Sequence, residues 1–278
     1  MNIRAAQRYF SASLADVSPT PDLDVQYFLE ALMSLSSAQL LLHGDQALTP
    51  SQEQQLAAWV DARRKGRPLA YLLGHQPFWN LDFLVSEETL IPRPETEALV
   101  EWILCQVPDD PPKKLADLGT GTGAIALSLA ASRPLWQVDA VDISKAALQL
   151  AEKNRARLGL HAVRFYQGDW FDPLPRADYD VIVSNPPYLS PDDVHLQSLS
   201  YEPSRALVAA ENGLADLYYL ADQAVHYLKP GGVLVLEHGY QQQDLLLQHF
   251  ASKVWVGVEG HRDLLGHPRF VTAYKKGI

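Results

Sequence analysis

Two hydrophobic periodicities divide this chain. Up to about residue 75, apolar side chains recur at helical spacing. Val25, Phe28, Leu29 and Leu32 share one face of a helix opened by Pro21, and Leu56, Trp59 and Val60 share a face of a later one. Thr49-Pro50-Ser51-Gln52 reads as a capping box with proline at the first helical position. Arg63-Arg64-Lys65-Gly66 closes that helix with cations and a glycine stop, and the three cations read as macrodipole and solubility charges. Phe78 to Val85 is aromatic and β-favouring, with Asn80 and Asp82 near a turn, and predicts a short hairpin.

From about residue 95 short apolar runs alternate with helical patterns. Strands are expected at Lys114–Leu118, Gln137–Val141, Ala162–Tyr166, Tyr179–Ser184, Val233–Glu237, Lys253–Val258 and Arg269–Tyr274. Between them lie helices such as Ser144–Leu158, starting at a serine cap, and Leu214–Leu228. The alternation predicts an α/β fold with a doubly wound, mostly parallel seven-stranded sheet, preceded by a small helical N-terminal domain. The expected organisation is a helical domain over 1–75, a hairpin linker over 76–92 and a catalytic domain over 93–278, with the boundary near residue 90.

Candidate chemistry lies at strand ends. The apolar run Tyr179–Val183 leads into Ser184-Asn185-Pro186-Pro187-Tyr188, at the carboxyl end where open α/β sheets hold ligands. Proline lacks an N–H, and Pro187 keeps Pro186 out of the helical region, so the carbonyls there are free to face a pocket. An amide oxygen from Asn185, the Pro186 carbonyl and the flat Tyr188 ring together suit a planar –NH2 group.

A second strand, Leu115–Leu118, runs into Gly119-Thr120-Gly121-Thr122-Gly123, a loop that lets backbone approach a nucleotide-like ligand. Asp142 ends the next strand, at the distance where an acid binds ribose hydroxyls, although on its own it reads more readily as a helix-capping or solvated acid. The absence of Gly-Lys-Ser/Thr excludes a P-loop. Asp169 and Trp170, after the third strand, offer an acid and an aromatic for an adenine. With the Asn-Pro-Pro-Tyr end they favour S-adenosylmethionine, with S-adenosylhomocysteine as product, over a nicotinamide.

Charge and composition narrow the classes. The net charge of −10 over 278 residues argues against a broad nucleic-acid footprint. One cysteine, Cys105, cannot form an internal disulfide, which fits a reducing cytoplasm; it is expected as a small core residue on the face of Leu99–Leu104. No apolar run approaches a membrane span, and the first residues lack a signal-peptide apolar region. The scattered histidines show no zinc spacing, and no metal is expected.

These residues together resemble the class I S-adenosylmethionine-dependent methyltransferases of exocyclic amines and side-chain amides. Within them the chain is similar to the HemK family, the protein-(glutamine-N5) methyltransferases of peptide-chain release factors. Arg67–Gly74, Thr89–Glu97 with its Arg-Pro-Glu-Thr-Glu run, Tyr201-Glu202-Pro203, Leu236–Gly239 and Asp263 through Gly266 to Arg269 also fit, so the resemblance spans roughly 60–278. It implies a Rossmann-like class I fold and methyl transfer from S-adenosylmethionine to the glutamine amide nitrogen of a Gly-Gly-Gln motif in class I release factors.

Asn185, Pro186 and Tyr188 are then the expected catalytic residues, which with Pro187 hold the substrate amide. Gly119, Thr120, Gly121, Thr122, Gly123, Asp142, Asp169, Trp170 and Asn185 are expected at the cofactor. The N-terminal helices read as a docking module for the protein substrate. Glu95 and Glu97 read as helix-capping acids, while Glu202 is left open. The alternatives are an adenine-N6 DNA methyltransferase, whose flipped base would suit the same motif, and a ribosomal-protein glutamine methyltransferase. A DNA partner is not expected.

Overall fold

The helical spacing of the first 75 residues produces five helices in the computed structural model, which describes residues 1–175, 178–251 and 254–277. They are α1 (Ile3–Leu14), α2 (Pro21–Met33), α3 (Ser37–Leu42), α4 (Pro50–Arg64) and α5 (Leu69–Leu73). Asn2 caps α1, and the Thr49–Gln52 box caps α4 with both reciprocal bonds present. Phe28, Leu29, Leu56 and Leu14 are fully buried in the core of this unit. The expectation for Arg63 fails. Its Nε donates to Asp24 Oδ2 at 2.7 Å, and Asp24 is buried, so the guanidinium neutralises an interior acid rather than serving the helix dipole.

The chain divides into two compact units, Met1–His75 and Gln76–Ile278. A hairpin follows the helices, β1 (His75–Phe78) and β2 (Leu81–Leu84), with its turn at Trp79-Asn80, earlier than Asn80 and Asp82 suggested. Its backbone is held within the second unit. Glu97 Oε1 accepts from Trp79 N at 2.9 Å, and the buried Asn154 side chain both accepts from Leu84 N and donates to Leu84 O. These bonds explain why the chain divides before the hairpin and not near residue 90.

After a 3₁₀ turn, Pro94–Thr96, come α6 (Glu97–Gln106), β3 (Lys114–Leu118), α7 (Ala124–Ser132), β4 (Gln137–Asp142), α8 (Lys145–Leu158), β5 (Arg164–Gln167) and β6 (Tyr179–Ser184). A short turn α9 (Ala210–Gly213), α10 (Ala215–Ala224), β7 (Leu228–Glu237), α11 (Gln243–His249), β8 (Trp255–Arg262) and β9 (Pro268–Lys275) complete the chain. The seven-stranded sheet has the order β5-β4-β3-β6-β7-β9-β8, parallel except for β9 against its two neighbours.

Continuous apolar runs in β6 and β7, Val181–Val183 and Val233–Leu236, reflect burial on both faces. Leu115, Val181 and Val235 face the layer of α6 and α7; Ala116, Ile182 and Leu234 face that of α10 and α11.

Several bounds differ from expectation for local reasons. β5 starts two residues late because Val163 N closes a turn onto Leu160 O. β7 begins five residues early, since Pro230-Gly231 is absorbed where the pairing with β6 shifts register between Tyr179 and Val181. α10 stops at Ala224, and Leu228, expected as its last residue, opens β7. β8 runs to Arg262, its pattern obscured by register shifts between Val256 and Glu259 and between His261 and Arg262; Lys253, the first residue of the expected strand, lies outside the described residues.

Cys105 is exposed, contrary to the expected core position. The buried face of α6 is Leu99, Val100 and Ile103, and a residue two past Ile103 points some 200° away at helical pitch.

Candidate active site

The strand order reverses between β3 and β6, and a crevice opens beyond the carboxyl ends of strands at such a point. The β3 end supplies the glycine loop. Gly119 and Gly121 take left-handed φ of 73° and 56°, a region that penalises any Cβ. Gly119 N and Thr120 N both donate to Val141 O, seating the loop on β4. Thr120 Oγ1 donates at 2.6 Å to Asp117, whose carboxyl is fully buried and pushed up to about 7 by desolvation, although Thr120 and Ala126 N oppose the shift.

Asp142, ending β4, accepts from Gly121 N and Ser144 N, both at 2.8 Å. It therefore ties the loop to the start of α8. Burial raises its pKa, while those two bonds and nearby Arg205 pull it down.

Together these elements enclose a cavity of about 300 Å³. Gly119, Thr120, Gly121, Thr122, Asp142, Asp169, Trp170, Asn185 and Pro187 all line it. Gly123 does not; it is the left-handed N-cap of α7, and a Cβ there would meet Leu127 at 2.9 Å. Pro186 is buried outside the cavity wall, and its carbonyl accepts no backbone bond among the described residues.

Tyr188 also lies outside the wall. Its hydroxyl donates to Glu237 Oε1 at 3.2 Å, its carbonyl accepts from Gln242 Nε2 at 2.9 Å, and burial raises its pKa so that it stays a phenol. Asn185 Nδ2 donates to Thr96 Oγ1 at 3.1 Å, which leaves Oδ1 as the free end of the amide. Ser184 Oγ donates to Leu118 O at 2.6 Å, joining the ends of β6 and β3.

Sequence reading missed several residues here. Thr96, Arg93, Arg205, Asp216 and Phe78 line the cavity from distant segments, and only the Arg-Pro-Glu-Thr-Glu run signalled any of them. Glu202 is resolved as a latch: buried, it pairs with Arg93 and accepts from Ile91 N at 3.0 Å, fastening the Thr89–Glu97 segment. Glu97 caps the hairpin turn. Glu95, second in the 3₁₀ turn, is close enough to Glu237 to disfavour its charge.

The donor set fits an adenosyl group. Backbone at Gly119 comes within reach of the Trp170 ring, where a Cβ would sit 3.3 Å from it. Ile143 is 60% exposed at the cavity wall, an apolar side chain open to a flat ligand beside the Asp142 carboxylate. Among the described residues, no cluster of His, Cys, Asp and Glu could hold a metal, and no helix is long and apolar enough to cross a membrane.

A seven-stranded sheet of this order, with a glycine loop at one strand end and Asn-Pro-Pro-Tyr at its neighbour's, defines a class I methyltransferase. The methyltransferase small domain family matches residues 96–202, and the PrmC N-terminal domain family matches residues 5–74. A Pyrococcus furiosus methyltransferase shares the fold at TM-score 0.56 and 16% identity, covering 83% of this chain and 100% of that one.

Nearly the whole chain aligns with release factor glutamine methyltransferases. That of Coxiella burnetii is 43% identical, covering 98% of this chain and 99% of its own. Those of Salmonella typhimurium, 44% identical over 91% of both chains, and Escherichia coli K12, 43% identical over 90% of this chain and 91% of its own, agree. The chain belongs to the release factor glutamine methyltransferase family.

Proposed function

We propose that this chain methylates the side-chain amide nitrogen, N5, of the glutamine in the Gly-Gly-Gln motif of class I peptide-chain release factors, using S-adenosylmethionine. The observation that carries this reading is Asn185 in the cavity wall, with Nδ2 engaged by Thr96 and Oδ1 left to accept. When bound, S-adenosylmethionine supplies a methyl on a sulfonium: the amide nitrogen forms the N–C bond as the S–C bond breaks, sulfur keeps that pair, and nitrogen sheds a proton.

An amide nitrogen is a poor nucleophile because its lone pair is delocalised into the carbonyl. Asn185 Oδ1 accepts one of its N–H groups and the Pro186 carbonyl the other, which turns the lone pair toward the methyl. Pro187 shapes the wall, and Tyr188, fixed through Glu237 and Gln242, holds the plane of the amide. No strong base is required, since an N-methylated amide cation is very acidic. Alignment of this kind lowers barriers by about 7–11 kcal/mol in favourable systems, and dipoles fixed where charge develops add to it.

Gly119 to Thr122, Asp169 and Trp170 take the cofactor, Gly123 holds the turn into α7, and Asp142 takes the ribose hydroxyls. Helices within 1–75 dock the protein substrate, and the reaction belongs to the cytoplasm. The names of the near-full-length relatives favour glutamine over adenine, and so does the net charge of −10.

The test is transfer of labelled methyl to unmodified release factor and to unmethylated DNA, offered together, with the product mapped by mass spectrometry. Label on the Gly-Gly-Gln glutamine is expected; label on DNA alone would overturn the reading. Asp142→Ala is expected to weaken S-adenosylmethionine binding about 10- to 100-fold by calorimetry, because a charged acceptor bond contributes roughly 1.5–3 kcal/mol. Unchanged affinity would reject the ribose role.

A further inference from the structure

The proposed function needs Asn185 to present its oxygen, not its amino group, to the cavity. A side-chain amide fits either way round, and only its hydrogen-bond partners choose between the two. We propose that Glu237, acting through the Thr96 hydroxyl, fixes this orientation and so makes the pocket select an N–H-donating amide over a carboxylate of the same shape. The inference rests on the proposed function and deepens it, with Glu237 as a positioning residue outside the cavity wall.

The geometry runs inward from the cavity. Asn185 Nδ2 donates to Thr96 Oγ1. A threonine hydroxyl has a single proton, so Thr96 has that proton to give, and the Glu237 carboxylate lies near enough for Thr96 to favour its charged form. Glu237 is 1% exposed at the end of β7. Its Oε1 accepts from the Tyr188 hydroxyl, and its Oε2 has no hydrogen-bond partner of its own among the described residues, leaving capacity to accept.

An ionised carboxylate accepts and cannot donate. The direction of the relay is therefore set at its buried end. In the proposed relay Thr96 turns its proton toward the open Oε2 of Glu237 and accepts from Asn185, and Asn185 thereby turns its N–H inward and Oδ1 outward. The same carboxylate anchors Tyr188, so one buried charge braces both ends of Asn185–Tyr188.

Glu237→Gln keeps the size of the side chain but removes the constraint. A glutamine amide can donate to Thr96, which then donates to Asn185 Oδ1 and leaves an amino group facing the cavity. A pocket turned this way opposes a substrate N–H and accepts a substrate oxygen.

The experiment compares full-length wild type with E237Q on release factor carrying Gly-Gly-Gln or Gly-Gly-Glu. In E237Q, kcat should fall about 100-fold, with calorimetric affinity for S-adenosylmethionine unchanged. The affinity ratio of the glutamate form to the glutamine form should rise by about tenfold or more. Thr96→Ser should restore turnover that Thr96→Val loses.

The pH profile supplies a separate readout. Burial pushes the Glu237 carboxyl up to about 7, with Glu95 reinforcing the shift and Thr96, Arg269 and Tyr188 opposing it. Adjacent His238 is held neutral, its pKa lowered by burial to about 4. Only the ionised carboxylate imposes the direction, so wild-type kcat should rise with pH through about 7, and that rise should be absent in E237Q. Asp117, also raised to about 7, is present in both proteins, so the difference isolates Glu237.

Wild-type kcat in E237Q, or a lowered kcat with both the affinity ratio and the pH profile unchanged, overturns the inference. If E237Q does not fold, the Thr96 pair decides: equal activity of Ser and Val variants overturns it. Failure of the wild type to methylate glutamine is a different result, which removes the proposed function itself.

Discussion

Asn185→Ala is expected to lower turnover about 100- to 1,000-fold, the loss seen when one preorganised group aimed at developing charge is removed, while the protein still binds S-adenosylmethionine. The amide oxygen is the one side-chain acceptor from the Asn-Pro-Pro-Tyr motif placed at the cavity, because Tyr188 spends its hydroxyl on Glu237. Alanine removes that acceptor and also the amide donor to Thr96 Oγ1. Steady-state kinetics and calorimetry separate the two effects: kcat falls, and cofactor affinity holds apart from any direct contact of Asn185 with the ligand. Wild-type turnover would rule out the alignment mechanism.

Gly213→Ala should be nearly as damaging, from outside the motif. Gly213 has φ of +82°, and a Cβ there would lie 2.0 Å from the Tyr188 carbonyl oxygen and 2.6 Å from its carbon. Both are backbone atoms, and Gln242 Nε2 clamps the same carbonyl, so the collision cannot be relieved by a rotamer change. Left-handed backbone costs an alanine roughly 1–2 kcal/mol, and overpacking adds about 1–3 kcal/mol.

Whatever displacement relieves the clash moves Tyr188 and the prolines before it, and a misplacement of about 1 Å can cost about 100-fold in rate. Thermal unfolding and the methyl-transfer assay should therefore fall together. Gly159→Ala is the control. It has φ of +71° at the end of α8 with nothing within 4 Å of its Cβ, so it should show the backbone cost alone and keep full activity. Equal behaviour of the two variants would show that the contact with Tyr188 does not matter.

The elements legible in the sequence are those whose signal is local. β6 announces itself by the apolar run Val181–Val183, β3 and β4 by short β-favouring segments between helical patterns, and the glycine loop, Asp142 and Asn185 sit directly at their ends. Cap residues at Thr49 and Ser144 are equally local.

What stayed hidden is held by partners far away in the chain. Thr96 meets Asn185 across 89 residues, Glu202 meets Ile91 across 111, and Tyr188 meets Glu237 across 49. Nothing in the vicinity of Glu237-His238 marks either residue as buried, and nothing near Gly213 marks what lies against it. Cys105 shows the opposite failure, an apolar stretch longer than the stripe a helix can bury. Arg63 looked like a terminal charge because Asp24, its partner, lies in another helix.

The register of β3 with β6 has one further consequence. Leu118 pairs with Ser184, and neighbouring strands run about 4.8 Å apart. The glycine loop and the Asn185 amide, proposed to receive the two reactants, therefore depart from adjacent strands of the same ladder. Their separation is set by the spacing of paired strands in the driest part of the sheet. A fold arranged in this way can exchange its surface loops, and with them its targets, while the distance the methyl must travel stays the same.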